Sequence, residues 1–140
     1  MVTVLVIEDD GVLRSLLVET LADAGYDVIE AVDGVDGVLM AQIHRPSLVL
    51  MDVMMSRLSG LDASRTLKSD PTTAAIPIVA MTTSVILQRG VTHHVDGILL
   101  KPFELEELFE TVARLTATTR QPGEPKYLTP ANSITQSRSG

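Results

Sequence analysis

The amino-acid sequence predicts an α/β fold, a doubly wound sheet of five parallel strands with helices on both faces. Three observations lead there. Short β-branched and aliphatic runs alternate with stretches of helical spacing through residues 1–118, the signature of repeated strand–helix–strand units. Val2–Ile7 is a continuous β-branched and aliphatic run and Leu48–Met51 an apolar one, as strands covered on both faces are. Acidic, small or turn-forming residues close the runs, where right-handed crossovers would begin.

The elements follow in order. Val2–Ile7 is the first strand, broken by Glu8-Asp9-Asp10-Gly11. Val12, Leu13, Leu16, Leu17 and Leu21 then recur at helical spacing, and Gly25 stands where a helix C-terminal glycine belongs. Tyr26–Val32 is the second strand, ended by Asp33-Gly34. Val35, Val38, Leu39 and Ile43 mark a second helix that stops before Pro46. Leu48–Met51 is the third strand, leading into Asp52, and Leu61–Ser69 the third helix, closed by Asp70-Pro71. Ile76–Met81 is the fourth strand, with Pro77 tolerated near its start. Thr82-Thr83-Ser84 opens a short helical stretch through Val85, Ile86 and Leu87, the fourth helix. Ile98–Leu100 is the fifth strand, and Lys101-Pro102 turns the chain into a fifth helix over about Glu104–Thr116. That helix sets Leu105, Leu108, Val112 and Leu115 on one face and Glu106, Glu107 and Glu110 on the other. From residue 119 the chain is polar and aperiodic, with Pro122, Pro125 and Pro130. It divides into one domain, 1–118, and a flexible polar tail, 119–140.

Composition narrows the chemistry. The 140 residues contain no cysteine, which excludes disulfides, zinc–thiolate sites and cysteine nucleophiles. Three histidines, His44, His93 and His94, offer little for a histidine metal site, and the adjacent His93-His94 pair reads as a solvated loop. No apolar run approaches a membrane span, and no basic stretch precedes the first strand as in a secretory signal; a cytoplasmic protein without membrane contact is expected. The net charge of −7 is uneven, since the tail carries three basic residues against one acidic. The acidic body should repel nucleic acid, and with two Phe, two Tyr and no Trp a base-stacking platform is not expected.

In open α/β sheets, sites form beyond the carboxyl ends of the strands. Those exits here supply Glu8-Asp9-Asp10, Asp52, Thr82 and Lys101: four acidic side chains, a hydroxyl and an ammonium expected to meet in one pocket. Converging carboxylates repel unless a cation joins them, and an all-oxygen set suits a hard ion, Mg²⁺ above all. Asp9 and Asp10 also precede a helix and could be ordinary N-caps, Asp10 more so than Asp9.

These residues carry a resemblance. The sequence resembles the receiver domain of two-component response regulators, the chemotaxis-receiver-like family with a flavodoxin-like fold. The likeness covers about residues 2–118. It rests on Val4-Leu5-Val6-Ile7-Glu8-Asp9-Asp10, Leu48 through Met55, Gly60, Ile78-Val79-Ala80-Met81-Thr82 and Lys101-Pro102-Phe103, all in order. It implies the strand order 2-1-3-4-5 and a cis Lys101–Pro102 turn. Asp52 would be the phosphoacceptor, served by a histidine kinase or histidine phosphotransfer protein. Glu8, Asp9, Asp52 and the Met54 backbone carbonyl would hold Mg²⁺, Lys101 would pair with phosphoryl oxygens, and Thr82 would hydrogen-bond to one of them and report the modification. Output would pass to a downstream protein, or through a homodimer made by the fourth helix, fifth strand and fifth helix.

Departures from the family pattern matter. Ser56 stands where the family usually has Pro, and Ile98 replaces a usual Tyr or Phe. The interval from Thr82 to Lys101 is somewhat short, which bears on the usual switch. Met54 and Ser84, at positions that tune dephosphorylation in the family, offer no carboxylate or amide to orient water, so a long-lived phosphoryl group is expected. Two rival readings remain: a receiver-like interaction module that acts without phosphorylation, and an aspartyl hydrolase of the haloacid-dehalogenase kind. The latter needs a second Asp two residues after the nucleophile, where this chain has Met54.

Overall fold

The computed structural model describes residues 2–55, 59–83 and 94–117. Nine elements lie within them: β1 (Thr3–Ile7), α1 (Gly11–Asp23), β2 (Asp27–Ala31), α2 (Gly34–His44), β3 (Leu48–Asp52), α3 (Gly60–Ser69), β4 (Ile78–Thr82), β5 (Gly97–Leu100) and α4 (Leu105–Ala117). The last is the fifth helix of the sequence reading. The short helix expected after Thr82-Thr83, with Ser84 and His93, lies outside the described residues, as do Ser56 and the tail over 119–140. The strands form one parallel sheet in the order β2-β1-β3-β4-β5. No helix among the described residues is long and apolar enough to cross a membrane.

Period-two alternation sends the side chains of each strand to two cores. Val4, Val6, Leu48, Leu50, Val79, Met81 and Leu99 pack on one face against Leu17 and Leu21 of α1 and Leu108, Val112 and Leu115 of α4. Leu5, Ile7, Val49, Met51 and Ile78 pack on the other against Ala41 of α2 and Ala63 and Leu67 of α3. Val4–Ile7 and Leu48–Met51 are therefore buried on both sides.

The helix ends are built from local chemistry. Asp10 caps α1, accepting from the Val12 and Leu13 amides at 2.9 and 3.2 Å, and Gly25 follows it at φ 100°, in the left-handed region that favours glycine. Asp33 caps α2 and Ser59 caps α3, accepting at 2.8 and 3.2 Å from the Asp36 and Asp62 amides. The Lys101–Pro102 bond is cis.

Three expectations need correction. Ile76 and Pro77 precede β4, because the Ile76 amide closes a turn onto the Thr73 carbonyl at 3.0 Å. Leu105 begins α4 but stays half-exposed, and Thr111 takes an inward position instead. The apolar spacing of α1 and α2 marks their buried faces only in part: Leu17 and Leu21 are buried and Leu13 and Val38 pack against the cores, but the rest turn outward. Val12 is 83% and Leu16 58% exposed, and Val35, Leu39 and Ile43 are each about half-exposed. Small residues face the sheet from α2, namely Gly34, Gly37 and Ala41. Close packing explains this, since a Cβ on Gly37 would run into the Ile7 side chain.

Candidate functional site

Sheet register assembles the site. Ile7 of β1 pairs with Met51 of β3, so the next residues, Glu8 and Asp52, leave the sheet side by side. Asp52 pairs with Met81, Thr82 with Leu100, and Lys101 comes next. Alternation sends Glu8, Asp52 and Lys101 to the face of α1 and α4 and Thr82 to the other. Residues far apart in sequence thus meet because parallel strands end flush at their carboxyl ends.

Carboxylate oxygens of Glu8, Asp9 and Asp52 lie within 4.8 Å of one another. Glu8 is 1% and Asp52 6% exposed, while Asp9 faces solvent. Asp52 Oδ1 accepts from the Met54 amide at 3.1 Å, and Oδ2 lies 3.4 Å from Lys101 Nζ. Glu8 Oε2 accepts from the Asp10 amide at 3.1 Å. Glu8 Oε1 is buried with no hydrogen-bond partner. Burial raises the Glu8 carboxyl from 4.5 to about 7, with the Asp52 charge adding to the rise and the Asp10 amide and Lys101 opposing it. A buried oxygen without a donor is costly, and a carboxylate whose charged form burial disfavours is stabilised by a nearby cation. The donor set is all oxygen and matches Mg²⁺ chemistry, so the residues present fit a hard divalent ion.

The structure brings together Glu8, Asp9, Asp52 and Lys101 as expected from the strand exits. It does not bring Asp10 in: that carboxylate turns away to cap α1, so three acidic side chains meet rather than four. Thr82 is buried at the end of β4, with its hydroxyl 3.5 Å from the Thr83 carbonyl and its own carbonyl accepting from the Lys101 amide at 2.7 Å. Met54 follows Asp52 with its side chain largely exposed.

Two supporting residues, Arg14 and Glu30, escaped the sequence reading, whereas Gly60 was among its motif residues. Arg14 Nη1 donates to the Glu8 carbonyl at 2.8 Å, and its Nε pairs with Glu30 Oε1 at 3.1 Å. The signal was present: Arg14 stands one turn after Asp10, on the helix leaving β1, and Glu30 sits opposite Val6 on the neighbouring strand. Gly60 begins α3 against the chain leaving β3, and a Cβ there would meet the Asp52 carbonyl and, at 2.8 Å, the Val53 Cα. Its glycine is thus a matter of close approach.

Comparison with known proteins agrees with this geometry. The model of the response regulator receiver domain family matches residues 4–113. The DNA-binding dual master transcriptional regulator RpaA of Synechocystis is 35% identical over 128 residues, covering 89% of this chain and 53% of RpaA. The chain spans about half the length of the curated relatives it matches. Among solved structures, the chemotaxis response regulator CheY4 of Vibrio cholerae superposes with a TM-score of 0.75 at 31% identity, covering 82% of this chain and 98% of that one. The response regulator TrrA of Thermotoga maritima, solved in complex with Mg²⁺ and BeF, gives a TM-score of 0.76 at 27% identity, covering 82% and 99%.

Proposed function

Because the chain belongs to the response regulator receiver family of two-component systems, we propose that it accepts a phosphoryl group on Asp52 and changes its protein contacts when it does. The observation that carries this is the buried, partnerless Glu8 Oε1 beside Asp9 and Asp52, with Lys101 Nζ 3.4 Å from Asp52 Oδ2. Glu8, Asp9 and Asp52, with the Met54 carbonyl, are the residues that would hold Mg²⁺. Bound there, the ion supplies positive charge where phosphoryl charge gathers.

The chain's own residues account for the rest. An Asp52 oxygen attacks phosphorus, an O–P bond forms, and the bond to the donor breaks; for a phosphohistidine donor the imidazole nitrogen leaves with the bonding pair. The Met54 amide holds Oδ1 and so orients the carboxylate. Lys101 neutralises developing negative charge, which suits a transfer governed by positioning and electrostatics. The product is an acyl phosphate with more acceptors and more negative charge than the carboxylate it replaces.

Thr82, at the adjacent strand end, is the hydroxyl that would turn toward these new acceptors. Moving an equilibrium from 1:99 to 99:1 takes about 5.5 kcal/mol, whereas a hydroxyl bonded to a charged acceptor contributes about 1.5–3 kcal/mol. Lys101 and repacking of the neighbouring loop must therefore share the work. A histidine kinase or phosphotransfer protein as donor, a cytoplasmic location, a protein target rather than direct nucleic-acid contact by these 140 residues, and a homodimer through the β5 side belong to the same proposal. The complete acidic cluster argues against a module that works without phosphorylation, and Met54 in place of a second Asp argues against a hydrolase of the dehalogenase kind.

Incubation with acetyl phosphate and Mg²⁺ should add one phosphoryl group by intact-mass measurement. Chelation or Asp52→Asn should abolish the addition. Undiminished labelling of Asp52→Asn would refute the assignment.

A further inference from the structure

Opposite the acidic pocket, at the other end of the sheet, Lys68 and Asp96 form a clamp that the transfer chemistry does not use. Lys68 Nζ at the end of α3 donates to the Ala74 and Ile76 carbonyls at 3.2 and 3.0 Å and lies 2.8 Å from Asp96 Oδ2. That same Asp96 oxygen accepts from the Ile78 amide at 2.8 Å, while the Asp96 amide donates to the Ile78 carbonyl at 2.7 Å. Asp96 therefore grips both backbone groups of the first residue of β4, and Lys68 holds Asp96 from α3.

The residue after Asp96 starts β5, an edge strand of only four residues that ends at Leu100. Lys101 follows. A strand so short has few ladder bonds to fix its register, and a slip of one residue sends every side chain to the opposite face. Here a slip would expel Leu99 from the core and turn the Lys101 ammonium away from Asp52. Gly97 points to the same register independently. A Cβ at that position would stand 3.0 Å from Leu115 Cδ1, so placing either neighbour, Asp96 or Ile98, in the slot under α4 would force Leu115 to shift.

We propose that Lys68 and Asp96 are positioning residues for Lys101: their clamp at the start of β5 fixes the strand's register on β4 and thereby aims the ammonium at Asp52. Polar groups that select register at some cost in stability are known elsewhere, and here the selection comes from Asp96 bonding both backbone groups of Ile78. The inference rests on the reading of Asp52 as phosphoacceptor and Lys101 as its cation.

A double-mutant cycle tests it. Asp96→Ala should slow acetyl-phosphate labelling by about 10- to 100-fold, the scale of an ångström-size misplacement. In a Lys101→Ala background the same change should cost almost nothing further. Sites this far apart ordinarily act additively, so full additivity would overturn the proposal. Mg²⁺ affinity by calorimetry should stay within about twofold, because the acidic ligands lie at the carboxyl ends of β1 and β3; a parallel loss would mean general disruption and would also overturn it. Asp96→Asn keeps an acceptor for the Ile78 amide and Lys68→Met removes only the cation, so both should fold and show intermediate slowing. Wild-type protein that takes no label would sink the proposed function instead. The clamp is then judged by the nuclear Overhauser contacts between Met81 and Leu99, which must weaken in Asp96→Ala; contacts unchanged from wild type would refute it.

Discussion

Replacing Glu8 with glutamine should make the metal-free protein more stable at neutral pH, although the residue sits in the functional pocket. The substitution keeps the side chain's shape. Its carbonyl can still accept from the Asp10 amide, and its amide can donate to Asp52. What it removes is a charge whose carboxyl is raised from 4.5 to about 7 by burial and by Asp52. The folded protein holds that proton more tightly than the unfolded chain does. Below 4.5 both states are protonated and Glu8 costs nothing. As pH rises from 4.5 to about 7 the folded state loses relative stability, and above that the full cost is present. At about 1.36 kcal/mol per pH unit the span amounts to about 3 kcal/mol. For a domain of this length that is a rise in Tm of roughly 10 °C for Glu8→Gln at pH 8 in chelator, shrinking toward zero at pH 4.5. Thermal melts of both proteins across that range make the comparison. Saturating Mg²⁺ should stabilise the wild type by about 2.7 kcal/mol at a hundredfold excess over Kd and the variant far less. Parallel melting curves at every pH, with equal gains from Mg²⁺, would refute the reasoning.

Other expectations follow from neighbouring features. Lys101→Ala should change stability by no more than about 1 kcal/mol, since its pairing with Asp52 is partly exposed to solvent, while phosphoryl transfer falls; a large drop in Tm without metal would count against this. Gly60→Ala should destabilise by about 1–3 kcal/mol, because the new Cβ meets backbone rather than a movable side chain, and it should weaken Mg²⁺ binding by shifting Asp52. Gly11→Ala, whose nearest neighbour would be Arg14 Nη2 at 3.8 Å, is the control and should be neutral or slightly stabilising in the same melts. With Met54 two residues after Asp52 and no side-chain carboxylate or amide at that position, the phosphoryl group should persist for minutes or longer in a decay assay after donor removal; disappearance within seconds would contradict that.

The sheet and its site were legible because both follow from short-range rules. Val2–Ile7 and Leu48–Met51 read as buried strands, and from Val4 to Ile7 and throughout Leu48–Met51 they are. Ending two such strands in acidic residues places the carboxylates together once the sheet is parallel. The helices were less legible. Spacing marks Val35, Val38, Leu39 and Ile43 as one apolar set, yet α2 lies so close to β1 that Gly34, Gly37 and Ala41 fill the buried positions and, of the four, Val38 is the one packed against the core. Tertiary closeness overrode the apolar pattern. Asp10 was drawn from the pocket by two local amides, which a short side chain reaches more readily than a distant carboxylate cluster. Lys68 and Asp96 stood 28 residues apart with no periodic signal, and only the fold brings them to 2.8 Å.

The flush ends of β1 and β3 carry a kinetic consequence. Glu8 and Asp52 become neighbours only when two strands separated by a whole strand and two helices have zipped into register. A chain still searching for that pairing has no pocket, so an ion that needs the finished pocket has nothing to grip in the nascent ensemble. Its stabilisation should therefore appear chiefly as slower unfolding, with the refolding arm of a chevron little changed.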